Sequence, residues 1–474
     1  MTKPLAEVQM LRVADQGRFS GPALLETLPA SMDRAAPPRR VLLISYTFPP
    51  VGGAGVQRVA KFVKYLPQHG WLPSVLTVAN PSVPLQDDSL LADIPSETVI
   101  RKARTWEPGY ALKSAVTAGE SGAAGQSSWK DWLKRAGRAV AGTLLQPDPQ
   151  VLWLPGALRA GQRLLNEFPH SAILASGPPF STFLTAALLS RWSGLPLILD
   201  YRDEWSLSNA YLENKQLGRC LSYFQDRLQR SVVAAAEVLL ATTRASAAAL
   251  EDVAARANRR PRVAWVYNGF DPEDFAGDWQ EPAPAADYRL AYVGTLWKLT
   301  SALPLVQAVE LLAQRQPELC ARLEITVAGR CVPAQQEVLA RLKLLPCRLV
   351  ELPYLEHRQA VEVMRGARAL CVLLADVPGA ERVMPAKLFE YLATQRSILA
   401  IAPRGELWDV LGDHPRAGKF EPRDIEGIAG WLASEIERAG QRTNAEVARW
   451  DAGDYSRPRQ ARQLATLLDS VATV

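Results

Sequence analysis

Short runs that are apolar at every position alternate with stretches of helical period along most of this chain, and the alternation breaks once, over residues 271–287. A strand that is apolar on both faces needs cover on both, so the pattern predicts parallel sheets clothed in helices. In the first train the runs fall at 41–45, 74–78, 172–176, 196–200 and 238–242, with helices at 181–193, 217–235 and 244–255. The break is rich in acids and prolines, has no period, and reads as an interdomain linker. Beyond it, runs at 289–293, 323–328, 348–352, 369–374 and 397–401 alternate with helices at 302–314, 333–344, 357–366 and 385–394. Two successive doubly wound domains are expected. Ligands of such sheets bind at the carboxyl ends of the strands, so the cleft between the two is the default active site.

The length of 474 residues accommodates this arrangement with an N-terminal extension over 1–38, a first domain over 39–275, a second over 276–440 and a closing helical segment over 441–474. Apolar residues make up 48% and charged residues 22%, with mean hydropathy −0.06, the composition of an ordinary globular protein. A net charge of +5 is too weak a bias to argue for nucleic acid, though it suits anionic substrates or lipid heads. Five cysteines without a CxxC pair, accompanied by four histidines, indicate neither a disulfide framework nor a zinc site and suit a reducing cytosol. No run approaches the roughly 18 apolar residues of a membrane span, and the N-terminus lacks a signal pattern, so a soluble or inner-face protein is expected.

Six segments carry candidate chemistry. Phe48-Pro49-Pro50-Val51-Gly52-Gly53-Ala54-Gly55 leads from the first strand into a helix near Val56, where glycines and free N–H groups suit a phosphate; a plain strand-to-helix turn explains them equally well. Its spacing is neither a P-loop nor GxGxxG. Ser176-Gly177-Pro178-Pro179 and Asp200-Tyr201-Arg202-Asp203-Glu204-Trp205 end consecutive strands, so two polar clusters emerge at one sheet edge. Arg202 lies between acids, and an ion pair among them accounts for at least one carboxylate. Val293-Gly294-Thr295 with Lys298, and Val327-Ala328-Gly329-Arg330, each run from a strand into a glycine turn with a cation beyond, which can set N–H groups and charge against a diphosphate.

The sixth segment, Val383-Met384-Pro385-Ala386-Lys387-Leu388-Phe389-Glu390-Tyr391-Leu392-Ala393, is the most informative. Pro385 suits the first position of a helix, Lys387 adds charge at its positive end, and Glu390 follows on the same face. A carboxylate beside an anion site fits a ligand with a vicinal diol next to phosphates, such as the ribose of a nucleoside diphosphate. A surface Lys–Glu pair is the competing explanation. None of His69, His170, His357 or His414 stands in a catalytic motif, and there is no Asp-x-Asp metal motif.

Taken with the Tyr267-Asn268-Gly269-Phe270-Asp271 turn, these segments resemble the family 4 glycosyltransferases, retaining GT-B enzymes that use nucleotide-sugar donors; the resemblance runs from about Arg40 to the end. It implies an α/β architecture of two Rossmann-like domains facing each other across a cleft, with a final helix, about Ser456 to Leu468, crossing back to the first domain. It implies catalytic roles for Glu390, Lys387 and Lys298, with Glu390 on the donor ribose. Donor binding would fall to Gly294, Thr295, Arg330, Glu381, Arg382, Val383, Met384 and Glu390, and the loop and acceptor side to Gly52, Gly53, Ser176, Arg202 and Asp203. Many members carry two glutamates eight positions apart; here Arg382 stands eight before Glu390, with Glu381 beside it. Many also carry a basic residue where Thr295 stands.

The implied reaction is hexosyl transfer from a nucleotide-diphosphate sugar to a glycan, lipid-linked or small-molecule acceptor in surface or exopolysaccharide biosynthesis, with no metal or other cofactor required, in the cytoplasm or at the inner membrane face. A non-hydrolysing nucleotide-sugar epimerase and a non-catalytic nucleotide-sugar-binding protein are the alternatives on the same fold. Trp129, Trp132, Leu133, Ala136 and Val140 share a helical face beside Lys130, Lys134, Arg135 and Arg138, a pattern suited to anionic lipid and equally to packing on its own domain.

Overall fold

The computed structural model describes residues 38–82, 86–107, 145–208, 218–277, 288–412, 414–440 and 450–472. Residues 1–37 of the extension read at 1–38, and the helical pattern of 129–140, lie outside them. Two parallel sheets organise the rest. The first contains β1 (Arg39–Ser45), β2 (Trp71–Val78), β3 (Val99–Ala103), β4 (Ala172–Gly177), β5 (Leu197–Tyr201), β6 (Val238–Ala241) and β7 (Arg262–Trp265) in the order β3-β2-β1-β4-β5-β6-β7. The second contains β8 (Tyr288–Val293), β9 (Leu323–Ala328), β10 (Arg348–Leu352), β11 (Ala369–Leu373), β12 (Ser397–Ile401) and β13 (Ala417–Phe420) in the order β10-β9-β8-β11-β12-β13. These are the two doubly wound sheets expected, each with its order reversing beside its first strand.

Side chains alternate between the faces of each strand, and both faces are buried. In β1, Leu42 and Ile44 join one core layer with Leu76, Trp153 and Phe183, whereas Val41 and Leu43 join the opposite layer with Phe62, Val63 and Trp71. In the second lobe Leu290 and Tyr292 pack with Leu312 and Ile428, while Ala291 packs with Leu370, Leu388 and Leu392. Helix Ala54–Tyr65 starts at Gly53, whose φ of 116° falls in the region open to glycine, and buries Val56, Val59, Phe62 and Val63.

Three strands, β3, β7 and β13, were not expected, and all three are sheet edges. Their burial alternates or is partial, so none presents a continuous apolar run. Helices Leu154–Glu167, Glu406–Leu411 and Ile425–Gly440 were likewise not anticipated. The expected helix over 385–394 is shorter. Its residues are Lys387–Ala393 with Ala386 at the cap, because Val383 is still extended at φ −84°, ψ 129°; Pro385 therefore lies outside the helix.

Two stretches join the lobes. On the outward one, the acids assigned to a linker are held tightly: Asp271 is buried and binds Lys61 at 2.6 Å, Lys64 at 2.8 Å and Tyr65 Oη at 2.6 Å. On the return, helix Arg457–Val471 packs Ala461, Leu464, Ala465 and Leu468 into the first lobe's core against Val41 and Leu43. The stretches run side by side. The Phe270 N–H donates to the Tyr455 carbonyl at 3.1 Å, and the Arg457 N–H donates to the Phe270 carbonyl at 2.8 Å.

Candidate functional site

Residues just past the carboxyl ends of the two sheets bond to one another, so these ends face each other. Thr243, after β6, donates to the Arg382 carbonyl at 3.3 Å. The Arg382 guanidinium grips Glu204 with two bonds of 3.0 and 3.1 Å and also binds Glu381 at 3.0 Å. Glu406, after β12, accepts from the N–H groups of Arg244 at 2.9 Å and Ala245 at 2.7 Å, at the start of helix Arg244–Ala255, and from Tyr267 Oη. Arg382, expected at a donor, is thus engaged in tying the lobes, because a bidentate carboxylate partner satisfies the guanidinium, and Glu381, expected there too, pairs with its neighbour Arg382 and stays partly exposed. The Val383 N–H is spent on the Ala380 carbonyl at 3.0 Å, and the Met384 side chain is buried in the second lobe's core. With a helix of seven residues, the anion site expected from Pro385 and the amides near Met384 has no long helix behind it.

What stands there instead is an enclosed lysine. β8 ends in a turn at Gly294, whose φ is 138°, and a Cβ built there would lie 2.6 Å from Lys387 Nζ. Glycine at this point leaves room for the amine, which sits 3.7 Å from the centre of the Tyr292 ring. Gly329, with φ 134°, packs onto the same turn: a Cβ there would meet the Gly294 carbonyl at 2.3 Å. Burial lowers the Lys387 amine to about 7, with Cys371 and Glu390 opposing. No ion pair to Lys387 occurs among the described residues. Thr295, Lys298 and Arg330 lie exposed just beyond the two turns. The Thr295 carbonyl is occupied by Tyr292 Oη at 2.9 Å and Thr300 Oγ1 at 2.7 Å.

Glu390 follows Lys387 on the same short helix, and its side chain is 13% exposed. Its nearest charged neighbour is His357, whose Nδ1 lies 3.9 Å from Glu390 Oε1. Burial raises the Glu390 carboxyl, and the charges of His357, Arg457 and Lys61 oppose this. His357 opens helix His357–Gly366, fixed there by a capping box between Glu356 and Gln359. Its Nε2 is 2.9 Å from Asp274, its Nδ1 is 2.9 Å from Gln57 of the first lobe, and its N–H donates to Asp87 at 3.1 Å. Burial pulls the imidazole down, but the Asp274 hydrogen bond and the Glu390 charge outweigh it and leave the ring raised above its ordinary value.

On the first lobe, Gly52 meets the second: a Cβ there would lie 2.5 Å from Tyr354 Oη and 3.2 Å from the Asp87 Cβ. Gly53 has open space around it. Ser176, expected to face an acceptor, donates to Asp200 at 2.8 Å and is buried. Asp200 is 1% exposed and also takes Arg58 Nη2 at 2.9 Å; Arg58 in turn donates to the Tyr267 carbonyl at 3.0 Å. That cluster closes on itself. Arg202 donates to the Pro178 carbonyl, and Gly55 is small because a Cβ would fall 1.9 Å from Arg202 Nη1. Asp203 keeps an exposed surface, yet the protein walls around it desolvate the carboxyl and raise it, with Arg202 opposing. Of the first-lobe candidates, Gly52, Gly53, Arg202 and Asp203 therefore border open space or the other lobe, and Ser176 does not.

Sequence reasoning missed His357, Gln57, Asp87, Tyr354 and Asp274. The capping pair around His357 was a legible signal, but its partners lie 300, 270 and 83 positions away.

Residues 52–269 match the family model described as a glycosyl transferase 4-like domain. No curated protein matches. Among solved structures, a sucrose-phosphate synthase from Thermosynechococcus elongatus superposes with a TM-score of 0.57 at 12% identity, covering 91% of this chain and 98% of that one. Anabaena Alr3699/HepE in complex with UDP and glucose gives 0.51 at 15% identity, covering 91% and 100%. A UDP-N-acetylglucosamine 2-epimerase structure from Listeria monocytogenes gives 0.51 at 11%, covering 91% and 96%. At these identities the likeness is one of fold.

Proposed function

We propose, for a chain that belongs to the family 4-like glycosyltransferases of GT-B fold, that it transfers a hexosyl group with retention from a nucleotide-diphosphate sugar to a glycan, lipid-linked or small-molecule acceptor. One observation carries the reading: an enclosed lysine amine beneath the Gly294 turn, without an ion pair among the described residues, and a carboxylate three positions on along the same helix. A diphosphate set against that amine would supply the negative charge the pocket lacks, and Glu390 would accept from the ribose diol. Lys298 and Arg330, at the two glycine turns, would add positive charge at the rim.

When the bond between the anomeric carbon and the phosphate oxygen breaks, charge builds on the departing diphosphate. Lys387, restored to its ammonium form by that charge, favours the transition state over the bound donor. The departing phosphate oxygen takes the proton of the acceptor hydroxyl. Gly52, Gly53, Arg202 and Asp203 would border the acceptor. We place the reaction in surface or exopolysaccharide biosynthesis, in the cytoplasm or at the inner face of the membrane; among the described residues no helix is long and apolar enough to cross one. Incubation with a panel of radiolabelled nucleotide sugars and lipid extract tests the reading. Label should pass to an acceptor, and Lys387→Ala and Glu390→Ala should each abolish transfer without unfolding the protein. Epimerised sugar, or full transfer by both variants, overturns it.

A further inference from the structure

His357 touches four parts of the molecule at once. Its ring bonds to Asp274 on the outward crossing and to Gln57 on the first lobe's opening helix, its backbone N–H bonds to Asp87, and its Nδ1 lies 3.9 Å from Glu390 Oε1. Because Nε2 faces a carboxylate, the proton of the neutral ring belongs on Nε2, and Nδ1 then accepts from the Gln57 amide. A protonated ring carries a second N–H, on Nδ1; the Gln57 amide must then turn its oxygen to the ring, and the carboxylate that competes for this proton is Glu390, 3.9 Å away and just beyond hydrogen-bond distance. Glu390 is otherwise embedded in surroundings that favour its uncharged form, in which one oxygen is a donor and a diol finds a poorer acceptor.

We propose that His357 is the positioning residue that holds the Glu390 carboxylate charged and turned toward the ribose diol of a nucleoside diphosphate. The proposal rests on the reading of Glu390 given above and adds to it a second residue, on a different helix, through which the first lobe and the outward crossing act on donor recognition. Four charged groups face the ring or its backbone. Asp274 and Glu390 favour its protonated form, Lys61 opposes it, and Asp87 accepts the backbone N–H.

The test measures a ratio. Binding of UDP, GDP, ADP and CDP to the full-length protein identifies the preferred diphosphate, whose affinity is then compared with that of its 2′-deoxy analogue. One charge-assisted hydrogen bond corresponds to a preference of about tenfold for the ribose form. His357→Gln places its amide where Nε2 stands, keeping Asp274 but leaving Glu390 unsupported, and should bring the ratio to within about twofold of unity. His357→Asn places its amide where Nδ1 stands and should retain most of the preference, an outcome that general loosening of the helix would not give. In the unsubstituted protein the ratio should fall as pH rises above the ordinary histidine value of 6.5, whereas in His357→Gln, which lacks the titrating ring, it should not fall. Lys387 acts on both nucleotides alike and cancels. A wild-type ratio in His357→Gln, or equal loss in the Gln and Asn variants, overturns the proposal. An unchanged ratio in Glu390→Ala, or no binding of any of the four diphosphates, overturns instead the donor reading beneath it.

Discussion

At the carboxyl edge of the first sheet, Asp200 is buried with Arg58 and Ser176 bonded to its oxygens; at the corresponding edge of the second, Lys387 is partly buried, its amine set against an aromatic face and, among the described residues, without an ion pair. The strand order is the same over the six strands that the sheets share, so topology does not set the difference. The first edge spends its charges on internal pairs that fix β5 to helix Ala54–Tyr65 and to the outward crossing. The second leaves a cation underpaired, at a cost in stability that a ligand's negative charge would recover. An ion pair completed within the chain is architecture, whereas an incomplete one in a cleft is a place for something else to complete it.

The comparison breaks most visibly if Asp200 is removed. Asp200→Ala strands a buried guanidinium and should cost about 3–5 kcal/mol in urea unfolding. A loss under 1 kcal/mol would mean that the first edge is as open as the second. Gly294→Ala forces a side chain into φ 138° and against the Lys387 amine, and should cost about 2 kcal/mol while weakening nucleotide binding. Lys387→Met should leave the melting temperature unchanged or higher, since it removes a desolvated charge, and yet weaken diphosphate binding by at least about tenfold. A fall in both would return Lys387 to the architectural class.

The smallest effect is in protons. Lys387 releases its proton near 7 in the fold and near its ordinary 10.5 when unfolded, so in that interval the unfolded chain binds more protons and stability rises with pH. Lys387→Met should flatten that rise. Diphosphate binding reverses the sign by drawing a proton onto the amine, so calorimetry at pH 8 in buffers of different ionisation enthalpy should show fractional proton uptake by the wild type and none by the variant.

The central strands were legible because burial on both faces leaves an unbroken apolar run, as in Val41–Ser45 and Ser397–Ile401. Edge strands such as Arg262–Trp265 left no such run. Within the site, Lys387, Glu390 and Gly294 could be found because each sits in a local pattern that constrains a turn or a helix face. The partners could not: Arg58 and Asp200 are 142 positions apart, and Glu204 and Arg382 are 178 apart. Which acid meets which base is decided by packing across the lobes. Hence Arg382 looked available in sequence and is engaged in the fold, while His357 looked incidental and bonds to Gln57, Asp87 and Asp274.

The final helix has a consequence for how the molecule is made. Ala461, Leu464 and Leu468 seal one layer of the first lobe, yet they leave the ribosome after every strand of both sheets. The layer that holds Val41, Leu43 and Trp71 is therefore completed only once this helix has emerged, and until then the first lobe keeps apolar surface uncovered on that flank.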